Sequence, residues 1–476
     1  MKNSPYQDYK NVDTDWMKTI PSHWEMKPLR ALLKERKEKN DPIKTTQILS
    51  LSIARGVTLY SDKGRGGNKA KNDLSAYKIA HPNDIVLNSM NVIVGAVGLS
   101  RFKGAISPVY YALFSRCEDV NIHYYEKIFS NHIFQRNLSI YGKGILIKKS
   151  DAGKLNTIRM KISMSDLKKV ALPYPPLSEQ KQIVRFLEYK CAQINKFIQK
   201  KKRLIEQLKE QKQVIINQVV TRGLDPNVRL KPSGIEWLGD IPEHWEAFPI
   251  KRLFSLIKYG TSESAGDKGK YKILTMGHIQ DGKIVAKNCG LLKDLEDELL
   301  LRYNDLLFNR TNSKELVGKV GIFKEHTGDY SFASYLVLLR VNGKSLPDYI
   351  NYLLNSSLFI TYVRRHSIPS LNQSNLNPTR YSRFPVPLPP LEEQNRILEH
   401  IETSCSNINL LISSSQQQID LIQEYRTRLI SDVMTGQIDV RDIEISDIIE
   451  GELIEETIEE EQEEESLELV GAGNDD

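Results

Sequence analysis

At 476 residues the chain is too long for one ordinary core, and 40% hydrophobic with 26% charged residues is the balance of a globular protein. No apolar run approaches the roughly 20 residues a membrane span needs, and the polar start, Met1 to Lys10, lacks a signal peptide's apolar centre. A cytoplasmic protein with no membrane partner is expected. The net charge of +6 hides a polarised distribution: residues 442–476 hold 16 of the 60 acidic residues and no Lys or Arg, which leaves 66 basic against 44 acidic residues before them. A net of +22 over residues 1–441 suits a polyanionic partner.

The first landmark is WMKTIPSHWE at 16–25, which recurs without a gap as WLGDIPEHWE at 237–246. All four tryptophans of the chain, Trp16, Trp24, Trp237 and Trp245, fall inside this duplicated element. A Trp buries a large area, so each pair is expected to anchor the first strand or turn of a module rather than to stack on bases. Between the landmarks identity fades, but NDIVLNSMNVIVGAVGLS at 83–100 matches NDLLFNRTNSKELVGKVGIF at 304–323. Each copy holds a short β-rich run, a polar loop and a Gly-containing second run, which predicts a hairpin in each module.

Candidate polyanion contacts are basic, Gly-rich and amide-rich loops, because Lys and Arg neutralise phosphates while Arg, Asn and Gln make the bidentate contacts that identify bases. In the first module they are Arg55 to Lys71, with Lys63, Arg65, Lys69 and Lys71, and Tyr141 to Arg159, with Lys143, Lys148, Lys149, Lys154 and Arg159. In the second they are Lys258 to Lys272, Arg310 to Lys319, with Arg310, Asn312 and Lys319, and Arg364 to Arg380, with Arg364, Arg365, Asn372, Gln373, Asn375 and Arg380. The clusters weigh more than any single member.

The module ends at PYPPLSEQKQI, 173–183, repeated as PLPPLEEQNRI at 387–397, and Ser178 or Glu392 is expected to open a helix. Beyond each, apolar residues alternate at spacings of four and three, the mark of a coiled-coil seam. The first seam reads Leu187, Cys191, Ile194, Ile198, Lys201, Ile205, Leu208, Lys212, Ile215 and Val219. The second reads Ile401, Cys405, Ile408, Ile412, Ser415, Ile419, Ile422, Arg426, Leu429 and Val433, so both polar interruptions recur at the same offset. The fold expected is α+β: two α/β modules separated by two long antiparallel coiled-coil helices, in a pseudo-two-fold internal repeat. The expected divisions are 1–171 (module), 172–225 (helix), 226–385 (module), 386–441 (helix) and 442–476, an acidic segment expected to be disordered. A sharper expectation for that segment is that it folds back onto the nucleic-acid-binding face.

Catalytic motifs give only near misses. GHIQDGKI at 277–284 has phosphate-loop spacing but ends in Ile where Ser or Thr must hold Mg²⁺, and reads as strand, Asp-Gly turn, strand. GRGGNK at 64–69 lacks dinucleotide-loop spacing. The four cysteines, at 117, 191, 289 and 405, fit neither a metal site nor a disulfide framework and are expected to be reduced. No catalytic residue and no metal ligand is assigned.

With IP-x-HWE, variable module, PPL-x-EQ and long helix occurring twice in the same order, the chain resembles the DNA-specificity subunits of type I restriction-modification systems over about residues 9–441. The segment SIPSLNQSNLNPTRYSRFPVPLPPLEEQ also looks like that family's target-recognition domains. The resemblance implies a non-catalytic subunit whose two target-recognition domains read an asymmetric bipartite site on double-stranded DNA. It implies two modification subunits that carry S-adenosylmethionine and methylate adenine N6, and ATP- and Mg-using restriction subunits, with no cofactor in this chain. The helices would serve as spacer and partner-docking rods. Two rival readings are an interaction scaffold that binds DNA without sequence preference, and a self-contained nuclease or methyltransferase.

Overall fold

The structure, a computed structural model, describes residues 4–445 except 54, 63–69, 72, 91–94, 146–147, 150–154, 157–158, 327 and 370–372, with backbone alone for the remainder of 144–160. Lys63, Arg65, Lys69, Lys154 and Asn372, and all of the acidic segment beyond 445, lie outside the described residues. The chain divides into two units, one built on residues 4–200 with 418–445, the other on 201–417. Each unit therefore holds one module and half of each long helix.

In the first unit, Tyr9–Asn11 pairs with Thr19–Pro21, and Glu25–Pro28 pairs antiparallel with Ala171–Tyr174. That second pairing makes the module's opening and closing strands neighbours and carries the module past residue 171, to 174. A four-stranded sheet runs in the order Leu33–Glu35, Tyr110–Ser115, Ile85–Asn88, Val97–Leu99. Two helices come next, Ile122–Ser130 and His132–Leu138, each opened by an Asn whose side chain accepts from backbone N–H groups of the first turn.

The second unit repeats this plan. Leu230–Pro232 pairs with Asp240–Pro242, and Glu246–Pro249 with Pro385–Leu388. Its six-stranded sheet starts with the equivalents Phe254–Tyr259, Leu336–Val341, Leu306–Asn309 and Val320–Ile322, then adds Lys283–Ile284 and Ile279–Gln280. The added pair is the strand, Asp-Gly turn, strand expected there, with Asp281 and Gly282 both in the left-handed region at φ 48° and 76°.

Both expected hairpins form, Ile85–Asn88 with Val97–Leu99 and Leu306–Asn309 with Val320–Ile322. Each is preceded by a left-handed Asn, Asn83 or Asn304, and a buried Asp. A buried carboxylate needs a partner. Arg36 supplies it to Asp84 through bonds of 2.6 and 2.9 Å, and Arg340 to Asp305 through bonds of 2.8 and 2.6 Å. Arg36 follows the strand Leu33–Glu35 and Arg340 lies within Leu336–Val341, so the charge pair recurs although its donor does not.

The long helices are Leu177–Arg222 and Leu391–Met434, 46 and 44 residues, each beginning one residue before the expected Ser178 or Glu392. At 1.5 Å per residue each is about 65–70 Å long. Within each unit the two halves run antiparallel. In the first, Arg426 donates to Asn195 Oδ1 at 3.0 Å; in the second, Lys212 donates to Asn409 Oδ1 at 2.9 Å. These are the same bond in the two copies of the repeat, because 212 and 426, like 195 and 409, share the offset of 214. The second polar interruption of each seam, Lys212 or Arg426, thus fixes register, the role such residues take in coiled coils. Leu187, Ile194, Ile198, Ile205, Leu208, Ile401, Ile408, Ile419 and Leu429 are buried, and Ile215, Ile412 and Ile422 are half-buried.

The two duplicated motifs meet in each unit. Trp24 and Trp245 are fully buried, and the neighbouring His23 and His244 each bond the Glu of PPL-x-EQ, Glu179 or Glu393, at 2.8 Å. Trp245 Nε1 also donates to Glu393 at 3.0 Å, whereas in the first unit Tyr6 donates its hydroxyl to Glu179. The next residue is a buried Gln. Gln180 accepts from Asn121 N–H and donates to the Asp119 and Pro175 carbonyls, and Gln394 accepts from Leu346 N–H and donates to Pro389. One turn of each long helix is thereby tied both to the Trp turn and to the module's helices.

Against each Trp lies the glycine that ends a long helix: Gly436 against Trp24, and Gly223 against Trp245. Both are left-handed, at φ 72° and 75°, and a Cβ on Gly436 would fall 2.5 Å from Pro21 Cδ and 3.0 Å from Trp24. Gly234 has φ 71° but nothing within 4 Å. Replacing Gly234 by Ala is expected to cost only the left-handed strain, about 1 kcal/mol, and replacing Gly436 by Ala clearly more. Urea unfolding of the two variants compares them, and equal midpoints would show that the contact at Gly436 is not tight.

Candidate nucleic-acid interface

Two of the candidate clusters occupy the same place in the repeat. In each module a segment leaves the second module helix, His132–Leu138 or Ser357–Arg365, and ends at a one-turn helix, Met164–Leu167 or Pro378–Tyr381, just before the closing strand. In the first module this segment is a long hairpin arm, Gly142–Ile145 against Arg159–Ile162, continued by Lys148–Lys149 against Leu155–Asn156. In the second it is a short hairpin, Ile368–Pro369 against Ser374–Asn375.

The arm is cationic along both edges. Its register sets Lys143 directly across from Lys161 and Ile145 across from Arg159. Like charges directly opposite destabilise a strand pair by a few tenths to about 1 kcal/mol. Asp166 relieves part of this through an ion pair to Lys143 at 3.6 Å, with Lys143 itself largely exposed. Lys148, Lys149 and Arg159 lie on the same arm by backbone position. Sequence reasoning passed over Lys161, which only the pairing register joins to Lys143. Lys71 lies apart from the arm and is exposed, its backbone N–H donating to Tyr77 Oη at 3.2 Å.

The second module is richer in amides. Its short hairpin joins Thr311–Asn312 in a three-stranded ribbon, with Thr311 opposite Asn375 and Asn312 opposite Ser374. The ribbon therefore gathers four candidates, Arg310, Asn312, Gln373 and Asn375, from segments some 60 residues apart in sequence. Asn375 Nδ2 donates to Thr311 Oγ1 at 3.0 Å, and Gln373 is exposed. Arg310 lies over the exposed ring of Tyr259, 5.1 Å from its centroid, and donates to Ser334 O at 3.3 Å. An arginine anchored over an aromatic face and to a carbonyl has fewer orientations open to its remaining donors. Tyr259, like Tyr335 whose carbonyl accepts from Arg310 N–H, is a neighbour that a charge-based reading overlooks.

Other candidates have structural duties. Arg364 donates to the carbonyls of Val317 and Glu315, bracing the loop that carries Lys319. Burial, and then the Arg364 charge, hold the Lys319 amine below its ordinary pKa. Arg380 Nη1 reaches His366 O at 3.4 Å, and Arg365 lies 4.0 Å from Glu236 with both side chains exposed. The ends of the Lys258 to Lys272 loop are met by acids: Lys258 bonds Glu298 and Glu296 at 2.5 and 3.3 Å, and Lys272 pairs with Asp329 at 2.9 Å. Away from these segments, a concavity of about 620 Å³ beside the edge strand Leu33–Glu35 is lined by Arg30, Lys34, Lys37, Arg116 and Lys168 together with Glu35 and Glu38. Cations on an edge strand also guard it against pairing with another sheet.

Among the described residues no cluster of His, Cys, Asp and Glu is arranged to hold a metal ion, and no helix is long and apolar enough to cross a membrane.

A family model described as the type I restriction modification DNA specificity domain matches residues 24–207 and again 242–421. The chain is 30% identical over 207 residues to the putative type I restriction enzyme MjaX specificity subunit of Methanocaldococcus jannaschii, a match covering 42% of this chain and 47% of that one. It is 22% identical over 292 residues to the type I restriction enzyme EcoKI specificity subunit of Escherichia coli, covering 60% of this chain and 61% of that one. These matches thus span less than two thirds of either relative's length. A chain solved in work on complex assembly and conformational transition of the type I R-M system shares the fold, with a TM-score of 0.59 at 14% identity over 88% of this chain and 99% of that one.

The like-charge register of the arm yields a test. Replacing Lys161 by Glu should stabilise the isolated chain by about 0.2–1 kcal/mol, because an opposite charge then faces Lys143, while weakening its binding to a polyanion. Urea titration and heparin-column elution read the two effects; a lower unfolding midpoint would mean that the lysines do not repel.

Proposed function

The chain belongs to the type I restriction modification DNA specificity family, and on that premise we propose that its two modules read the two halves of one asymmetric bipartite site on double-stranded DNA. The observation that carries this reading is the placement of unlike surfaces at equivalent positions in the repeat. One module presents a lysine- and arginine-edged arm where the other presents Asn312, Gln373 and Asn375 beside Arg310. Cations on phosphates set affinity and register, and amides and arginine on base edges set sequence. A two-stranded ribbon fits the major groove.

The chain acts in this reading without catalysis of its own. Two modification subunits carrying S-adenosylmethionine methylate adenine N6, and restriction subunits using ATP and Mg²⁺ join them, in the cytoplasm. Surface on the long helices outside the seam supports protein docking: Leu410 and Leu411 are 66% and 53% exposed in the second unit, and Leu421 is 65% exposed in the first. Helix length then sets the gap between half-sites.

Mapping N6-methyladenine across the genome, with and without this gene, is expected to reveal one gene-dependent motif of two short specified blocks around an unspecified gap. Gln373→Ala should relax or change one block only. Sequence-independent DNA binding with no gene-dependent motif would instead favour a scaffold. Leu410→Glu with Leu411→Glu should abolish co-purification with the modification subunit while leaving the unfolding midpoint within about 0.5 kcal/mol, as expected for exposed sites.

A further inference from the structure

The two long helices keep the same seam but differ sharply on one outer face. In the first helix, Arg185, Tyr189, Gln193, Lys196 and Lys200 succeed one another at spacings of four and three, so they share one face. Arg185, Gln193, Lys196 and Lys200 are exposed. The repeat-equivalent residues of the second helix are Glu399, Thr403, Asn407, Leu410 and Ser414. Over residues 177–200 the first helix carries five Lys and Arg against two Glu; over 391–414 the second carries one Arg against four Glu. Packing of the seam does not require this difference.

The described end of the chain arrives at this same face. Gln182 Nε2 donates to the carbonyls of Val440 and Ile443 at 3.1 and 2.8 Å, and Arg185 reaches the carbonyl of Ile445 at 3.5 Å. From 443 to 445 the chain advances as the helix advances from 182 to 185, in the direction in which Lys196 and Lys200 lie along that helix. Residues 446–476, beyond that point, hold 14 Asp and Glu and no Lys or Arg. Arg185 to Lys200 is about 22 Å along a helix, which roughly seven extended residues cover.

We propose that residues 446–476 dock on the Arg185, Lys196 and Lys200 face of the first long helix, as a built-in polyanion that covers these cations. Exposed cations on this face can attract DNA phosphates without regard to sequence, and the docked segment reserves DNA binding for the modules. The acidic segment is thus assigned to the helix, not to the module loops.

Carbodiimide cross-linking of the full chain, which joins lysine amines to carboxylates in contact, tests the placement by mass spectrometry of the monomer band. Links from Lys196 and Lys200 to carboxylates within 446–476 are expected at low salt, with their loss in about 1 M salt. Links from that segment to Lys71 or Lys143 in place of the helix, links confined to a dimer band, or none at all would overturn it. This readout does not depend on what the modules recognise. The masking role is tested by heparin and random-sequence duplex: ending the chain at residue 445 should raise low-salt affinity on the order of tenfold, and Arg185→Gln with Lys196→Gln and Lys200→Gln should remove the gain. Unchanged affinity on truncation would overturn the masking role.

Discussion

The fold rests on a tryptophan held between a helix that is starting and a helix that is ending. In each unit the Trp of the HWE element is buried against the terminal glycine of one long helix, while the Glu in the first turn of the other long helix bonds the adjacent His. The glycine must be left-handed to turn the chain away, and a side chain there would meet Pro21 and the indole at Gly436, and Glu393 and the indole at Gly223. A large aromatic contributes several kcal/mol by burial, and at this junction its burial also fixes the direction in which both helices depart. Modules and rods are therefore mechanically inseparable: loosening the Trp contact would loosen the register of the seam.

Polar groups do the complementary work. Gln180 and Gln394 have no exposed surface, yet each amide is satisfied by main-chain groups of its own module. The Lys212–Asn409 and Arg426–Asn195 bonds recur with the repeat and forbid a slip of the helices by one turn. The Asp–Arg pairs under the hairpins show a different economy, since Arg36 and Arg340 reach equivalent carboxylates from unlike positions. What persists there is the need to neutralise a buried charge, not the position that meets it.

Much of this was legible in the sequence because it is periodic or local. The seam, the Asp-Gly turn at 281–282 and the paired hairpins are set by spacing and turn chemistry that neighbouring residues decide. The Trp residues were readable as anchors, but nothing local discloses that Gly436, some 412 positions away, packs on Trp24. The interface was legible only as clusters. Residue type alone could not separate Arg364, committed to two carbonyls, from Gln373, which is exposed. Nor could it find Lys161 opposite Lys143, which needs the strand register, or the Tyr259 ring under Arg310, which needs the sheet.

The division of each long helix between units has a consequence for synthesis on the ribosome. Among the described residues the unit built on 201–417 is continuous in sequence, and it can close as soon as its last residue is free. The other unit holds the module that emerges first, but its helix pair is completed only by residues 418–434 and its Trp24 junction only by Gly436. Contacts that distant close late, since their loop entropy is lost before they stabilise anything. The module that is born first is thus finished last, and until then Ile194 and Ile198 must wait uncovered, the interval in which a nascent chain most needs a chaperone.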